Sequence, residues 1–103
     1  MDLAVEVHRL GRRLALARRF TLADQMNRAA VSTVSNIAEG AGRLGRGEFR
    51  HYVSVSLGSV RELETQVLLA VRIDALSRED VAGALATARE VGRMLVRLGH
   101  RLT

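Results

Sequence analysis

Apolar residues recur at spacings of three and four along four stretches of this 103-residue chain, the period of a helix with one buried face. The first stretch runs from about Asp2 to Arg18, with Leu3, Val7, Leu10, Leu14 and Ala17 facing inward and Asp2 as its cap. Thr21 then opens a second helix through a capping box, Thr21-Leu-Ala-Asp24. Leu22, Met26, Ala30, Thr33, Ile37 and Ala41 form its inward stripe, and Gly40 and Gly42 end it. A third helix starts near Gly47–Glu48 and keeps Phe49, Val53, Val60, Leu63, Val67 and Val71 on one arc to about Ile73. Ser77-Arg-Glu-Asp80 is a further capping box, opening a fourth helix with Val81, Leu85, Ala88, Leu95, Gly99 and Leu102 inside. Short connections force neighbouring helices antiparallel. The expected fold is all-α: an antiparallel up-down-up-down four-helix bundle, residues 1–103 forming one domain.

Two of these stretches depart from the usual amphipathic pattern. Ala29–Ala38 and Tyr52–Val60 carry no charged side chain, so each helix must be covered on more than one side there. In a chain this short the expected cover is another copy of the chain. Val31 and Ala38 on the second helix, and Leu57 and Leu68 on the third, fall outside the main apolar arcs; Ser35 and Gly58 lie alongside. Small uncharged side chains let helix backbones approach closely. Val31, Ser35, Ala38, Leu57, Gly58 and Leu68 are therefore the expected oligomer interface.

Composition narrows the function classes. Hydrophobic residues make up 48% of the chain and aromatics only 3%, with no proline to interrupt a helix. The absence of cysteine excludes a disulfide framework and thiolate metal sites. Met1-Asp2-Leu3 lacks the profile of a signal peptide, and no apolar run approaches the ~20 residues of a membrane span. A cytoplasmic protein with no membrane partner is expected.

All sixteen basic residues are arginine, against eleven acids, for a formal charge of +5. An excess of that sign points to an anionic partner. In the expected topology Arg43, Arg46, Arg50, Arg97 and Arg101 gather at one end of the bundle, beside the amino terminus of the third helix, whose free amides suit phosphate. Arg89, Arg93, Arg97 and Arg101 also follow one another at i+4, where like charges repel. Aromatics for base stacking are missing from these patches. Contact with RNA or DNA would thus be backbone-directed and salt-sensitive.

Other apparent motifs lose their force in context. Gly40-Ala-Gly42-Arg-Leu-Gly45 spells a dinucleotide-binding fingerprint, but a helix precedes it where a strand is required. Glu48-Phe-Arg-His51 matches the Glu-x-x-His pair of di-iron bundles, yet it occurs once and projects outward. No serine sits in a nucleophile elbow. No enzyme, metal or cofactor is expected. Asn36 and Glu64 border their helices' apolar arcs, and a half-buried polar group needs a partner. Arg28, Asn36, Glu39, Glu62 and Glu64 are accordingly read as a polar network that fixes register and subunit pairing.

The run Gln25–Gly40, with Ser35-Asn36-Ile37-Ala38-Glu39-Gly40 at its centre, followed by Gly42-Arg43, Glu48-Phe49 and Leu57–Gln66, resembles a bacterial four-helix-bundle family. Its members are often encoded in intervening sequences of 23S ribosomal RNA genes. The resemblance covers nearly the whole chain and implies a ring-shaped homopentamer with no established enzymatic activity. The chain is also similar to accessory proteins of diversity-generating retroelements, which implies binding of nucleic acid and of a protein partner through basic surfaces. Val34 stands where a proline is common in the family, and Asn27 where a second arginine is common. Five copies at +5 each would carry about +25, a field able to hold RNA. The expected function is a non-catalytic oligomeric bundle that binds nucleic acid; the alternative is a protein-interaction scaffold with no nucleic-acid role.

Overall fold

A computed structural model describes residues 2–103. Four helices follow in order: α1 (Asp2–Leu16), α2 (Phe20–Ala41), α3 (Arg46–Arg72) and α4 (Arg78–Arg101). They pack as a rod 44 Å long and 19 by 18 Å across. Each helix touches its neighbour in the chain, and α1 closes the circle against α4. One apolar cluster runs through the centre, with Val7, Leu14, Met26, Val60, Leu63, Val67, Ala88 and Leu95 fully buried. The inward stripes read from periodicity are nearly all buried or half-buried. Ala17 and Ala41 are exceptions: Ala17 lies beyond the last residue of α1, Ala41 is the last of α2, and both are exposed.

The helix ends differ from expectation in three places, each for a local reason. First, α2 begins at Phe20 with Arg19 as its N-cap and no side-chain cap, so Thr21 sits inside the helix and its capping box does not form. The cause lies upstream. Arg18 adopts φ 60°, and the Arg19 and Arg18 amides donate to the carbonyls of Leu14 and Ala15 at 2.7 and 3.0 Å. This is a Schellman closure of α1, and it turns the chain directly into the next helix. Asp74, at φ 57°, closes α3 in the same way, with Ala75 and Asp74 donating to Ala70 and Val71. Glycine normally fills that left-handed position, and neither site has one. Second, Asp2 already lies within α1, where its charge complements the helix dipole, instead of preceding the helix as its cap. Third, Gly40 does not stop α2. It is buried in the last turn, and Gly42 is the C-cap at φ −81°.

Ser77, by contrast, caps α4 as its sequence predicts. Its Oγ accepts from the Asp80 amide at 3.0 Å, and Asp80 Oδ2 accepts from the Ser77 amide at 3.0 Å.

The two uncharged stretches meet each other. Ser32 and Ser59 share a 2.8 Å hydrogen bond across α2 and α3, and the fully buried Ser56 donates from Oγ to the Thr33 carbonyl at 2.7 Å. At the far end of this seam Gly40 lies so close to α3 that a Cβ there would come within 2.8 Å of Tyr52 Cβ. Part of the cover that the missing charges demand is therefore supplied within the chain, by close α2–α3 packing.

Candidate nucleic-acid interface

The connection between α2 and α3 and the last turn of α4 share one end of the rod, and there the five arginines divide. Arg46, the first residue of α3, donates from its guanidinium to the Arg101 carbonyl, tying the start of α3 to the end of α4. Arg50 lies one turn on and lines a shallow groove of about 180 Å³ with Leu57, Leu95, Val96 and His100. Arg97 and Arg101 are exposed on α4. Arg50, Arg97 and Arg101 make no ion pair among the described residues, and neither do Arg89 and Arg93 further along α4. The N-cap of α3, Gly45, provides no side-chain acceptor, so the first amides of that helix point outward beside these guanidinium groups.

Arg43 is drawn away from this group. Its guanidinium pairs with Glu39 one turn back in sequence, approaches Glu48 at 3.9 Å, and donates to the Tyr52 hydroxyl at 3.1 Å. It also lies over the Tyr52 ring, 5.2 Å from the centroid. The hydrogen bond to Glu39, followed by the fields of Tyr52 and Glu39, pushes the already high arginine pKa up further. With two carboxylates beside it, Arg43 has little charge left to offer a phosphate.

The expected interface residues fall on different faces. Val31 is 56% exposed, and Ser35, Ala38 and Gly58 are also exposed. Ala38 borders an apolar groove of about 660 Å³ between α2 and α4, just beyond the start of α1, where Val34, Ile37, Val91 and Met94 are its neighbours. Leu68 lines a second groove, between α3 and α4. Leu57 is half-buried and packs on the core, because α4 covers it from the side.

The five polar residues expected to form one network instead find separate, local partners within the chain. Arg28 pairs with Asp24 at 3.1 Å on the outside of α2. Asn36 donates to the Ser32 carbonyl at 2.7 Å and to Ser32 Oγ at 3.1 Å. Glu39 holds Arg43, Glu62 accepts from Gln66 at 3.0 Å, and Glu64 pairs with Arg61 at 3.0 Å. All five residues find partners three or four positions away in sequence, the spacing at which helical side chains are neighbours, Arg43 doing so from just beyond the end of α2.

A family model described as 23S rRNA-intervening sequence protein matches residues 1–97. The chain belongs to this family. A crystal structure of a protein with unknown function from the S23 ribosomal protein family of Bacteroides thetaiotaomicron is similar to it, with a TM-score of 0.89 and 22% identity over 94% of this chain and 91% of that one. At that identity the likeness speaks for the fold alone. No curated protein matches the chain.

In this 23S rRNA-intervening sequence family member the glycine-rich run has a steric meaning. Gly40 admits Tyr52 and Phe49 against the α2 backbone, and Gly42 to Gly45 form the turn that follows. The Glu48–His51 pair is exposed, Glu48 leaning toward Arg43 and His51 meeting Tyr52 edge-on at 5.5 Å. No group of three or more His, Cys, Asp or Glu side chains among the described residues could hold a metal ion. No helix among the described residues is long and apolar enough to cross a membrane.

Proposed function

We propose that this chain is a non-catalytic helical bundle that assembles into a ring-shaped homo-oligomer, a homopentamer, and holds the backbone of RNA or DNA on arginine-rich surfaces in the cytoplasm. The observation that carries the reading is the set of unpaired guanidinium groups at one end of the rod. Arg50, Arg97 and Arg101 are exposed and make no ion pair among the described residues, and Arg46, at the start of α3, reaches the Arg101 carbonyl. Arg43 contributes as a spacer between Glu39 and Tyr52 rather than as a free cation. The name of the family, which refers to ribosomal RNA, supports a nucleic-acid partner.

Assembly follows from the apolar surface left over once α2 and α3 have packed. A ring needs a heterologous contact, in which one face of a subunit meets a different face of the next. Val31 and Ala38 on one side of the rod, and the half-exposed edge of Leu57 on another, offer two such faces, with Ser35 and Gly58 small enough for close approach; Leu68 lies about three turns further along α3, in a groove of its own. Arg28, Asn36, Glu39, Glu62 and Glu64 would then set register across subunits. In light scattering, Val31→Glu should reduce the oligomer to single chains while its helical circular dichroism stays intact. A variant of unchanged mass places the contact elsewhere.

Titration of a labelled single-stranded RNA at two or more salt concentrations tests the nucleic-acid reading. Log affinity should fall linearly with log salt, and Arg97→Glu with Arg101→Glu should lower the slope by about 1 for each phosphate contact removed. Absence of binding at low salt leaves the scaffold alternative, in which the same surfaces meet a polypeptide.

A further inference from the structure

We propose that the groove between the end of α3 and the start of α4 is a docking site for an acidic amphipathic helix of a partner protein. The groove encloses about 540 Å³. Leu68, Val71 and Leu85 form its walls, and Ala82 and Ala86 its low outer edge. Leu68 is 43% exposed, and Val71 and Leu85 are only half-buried, so this apolar strip faces solvent in the single chain.

Its rim carries charge of one sign. Arg72, Arg78 and Arg89 line the groove, all three are exposed, and none makes an ion pair among the described residues. No acidic residue lines it. The carboxylates on this part of α3 are engaged, Glu62 by Gln66 and Glu64 by Arg61. From Arg78 to Arg89 is 11 residues of helix, about 16 Å at 1.5 Å per residue, or three turns.

An apolar floor with a one-signed rim selects the chemistry of its occupant. A helix with apolar anchors at i, i+3, i+4 and i+7 fills such a trough, and glutamates or aspartates flanking those anchors meet the three guanidinium groups on both banks. Alanines at 82 and 86 keep the α4 ridge low, so the two helix backbones can approach closely. Nucleic acid fits the groove poorly: phosphates would meet the guanidinium groups but leave the apolar strip of Leu68, Val71 and Leu85 uncovered. A second copy fits poorly too: its uncharged α2 face, Ala29 to Ala38, would leave the three guanidinium groups without acids, and its outer α1 and α4 surfaces carry Arg9, Arg12, Arg93 and Arg97. The groove lies at the opposite end of the rod from Arg50 and Arg101, so the two surfaces fail or succeed separately.

Fluorescence anisotropy with a labelled 15-residue helical peptide, leucines on one face and glutamates flanking them, tests the proposal on the full chain; a twin with lysine flanks is the control. The glutamate peptide should bind at least about tenfold more tightly than its twin. Arg78→Glu with Arg89→Glu should reverse that preference, and Arg97→Glu with Arg101→Glu should leave it unchanged. Because the chain has no cysteine, Ala82→Cys accepts a single nitroxide, whose motion should slow when the glutamate peptide binds. Equal binding of the two peptides, or an unmoved preference in the Arg78/Arg89 variant, overturns the proposal. So does a changed mass of that variant in light scattering, which makes the groove a self-interface, or a tenfold loss of RNA affinity in it, which makes it a polyanion surface.

Discussion

The seam between α2 and α3 and the seam between α1 and α4 close the same bundle by different means. Along α2–α3 the contacts are small and buried: Ser32 with Ser59, Ser56 with the Thr33 carbonyl, and Gly40 against Tyr52. Along α1–α4 they are long and partly wet. Arg13 reaches the capping residue Asp80, and Thr87 donates to Glu6 at 3.3 Å. Small side chains bring backbones together and leave little tolerance for added volume. Long charged ones bridge a wider gap and can swing aside. A charge-free helix segment thus records close packing first, and only what remains exposed after that packing records a partner.

Adding one methyl group at Gly40 is the most severe way to break the contrast. The new Cβ would lie 3.0 Å from Phe49 Cδ1 and 2.8 Å from Tyr52 Cβ, an atom that cannot move without shifting α3. Gly40→Ala should cost about 1–3 kcal/mol, as overpacking of a well-filled interior does, and urea unfolding should show the midpoint falling. The same exchange at Gly92 should have the opposite sign. There the obstacle is Arg61 Nη1 at 2.9 Å, the far end of a flexible side chain. Once Arg61 swings out, Gly92→Ala should gain up to about 1 kcal/mol from helix propensity, read as a raised midpoint in the same titration.

The smallest effect at neutral pH is expected on the other seam. Hydrogen bonds from the Ser77 amide, ahead of the Ser77 hydroxyl and the Arg13 charge, hold the Asp80 carboxyl below its ordinary value. A carboxylate lowered in the folded state stabilises fully above the ordinary aspartate range, and that contribution is lost as pH falls through the lowered native value. Asp80→Asn should therefore be slightly less stable than the parent at pH 7, and the two should converge in strong acid. A gap that stays constant with pH shows that the charge of Asp80 plays no part.

Much of the fold is legible from periodicity. The stripes of Leu3, Val7, Leu10 and Leu14, or of Val81, Ala88 and Leu95, point inward because the 3.6-residue period leaves them no alternative. The Ser77 cap is legible because its partner stands three residues away. The start of α2 is not, since Arg18 occupies a left-handed position that sequence associates with glycine. The candidate site is less legible still. That Arg46 and Arg50 meet the end of α4 follows from antiparallel order. The pairing of Arg43 with Glu39 is local, four residues apart, but its approach to Tyr52 and Glu48 depends on how the α2–α3 connection folds back. The interface residues show the same limit: Val31 and Leu57 are equally apolar, but α4 lies beside only one of them.

The circular order of the helices bears on how the chain finds its structure. Three of the four packed pairs join consecutive helices across short turns, so forming them closes small loops at little entropic cost. The fourth pair joins the two ends of the sequence: Arg13 to Asp80 spans 67 residues and Glu6 to Thr87 spans 81. Low average separation of this kind belongs with rapid folding. The docking of α1 on α4 is the step that must wait for the rest of the chain to come into place.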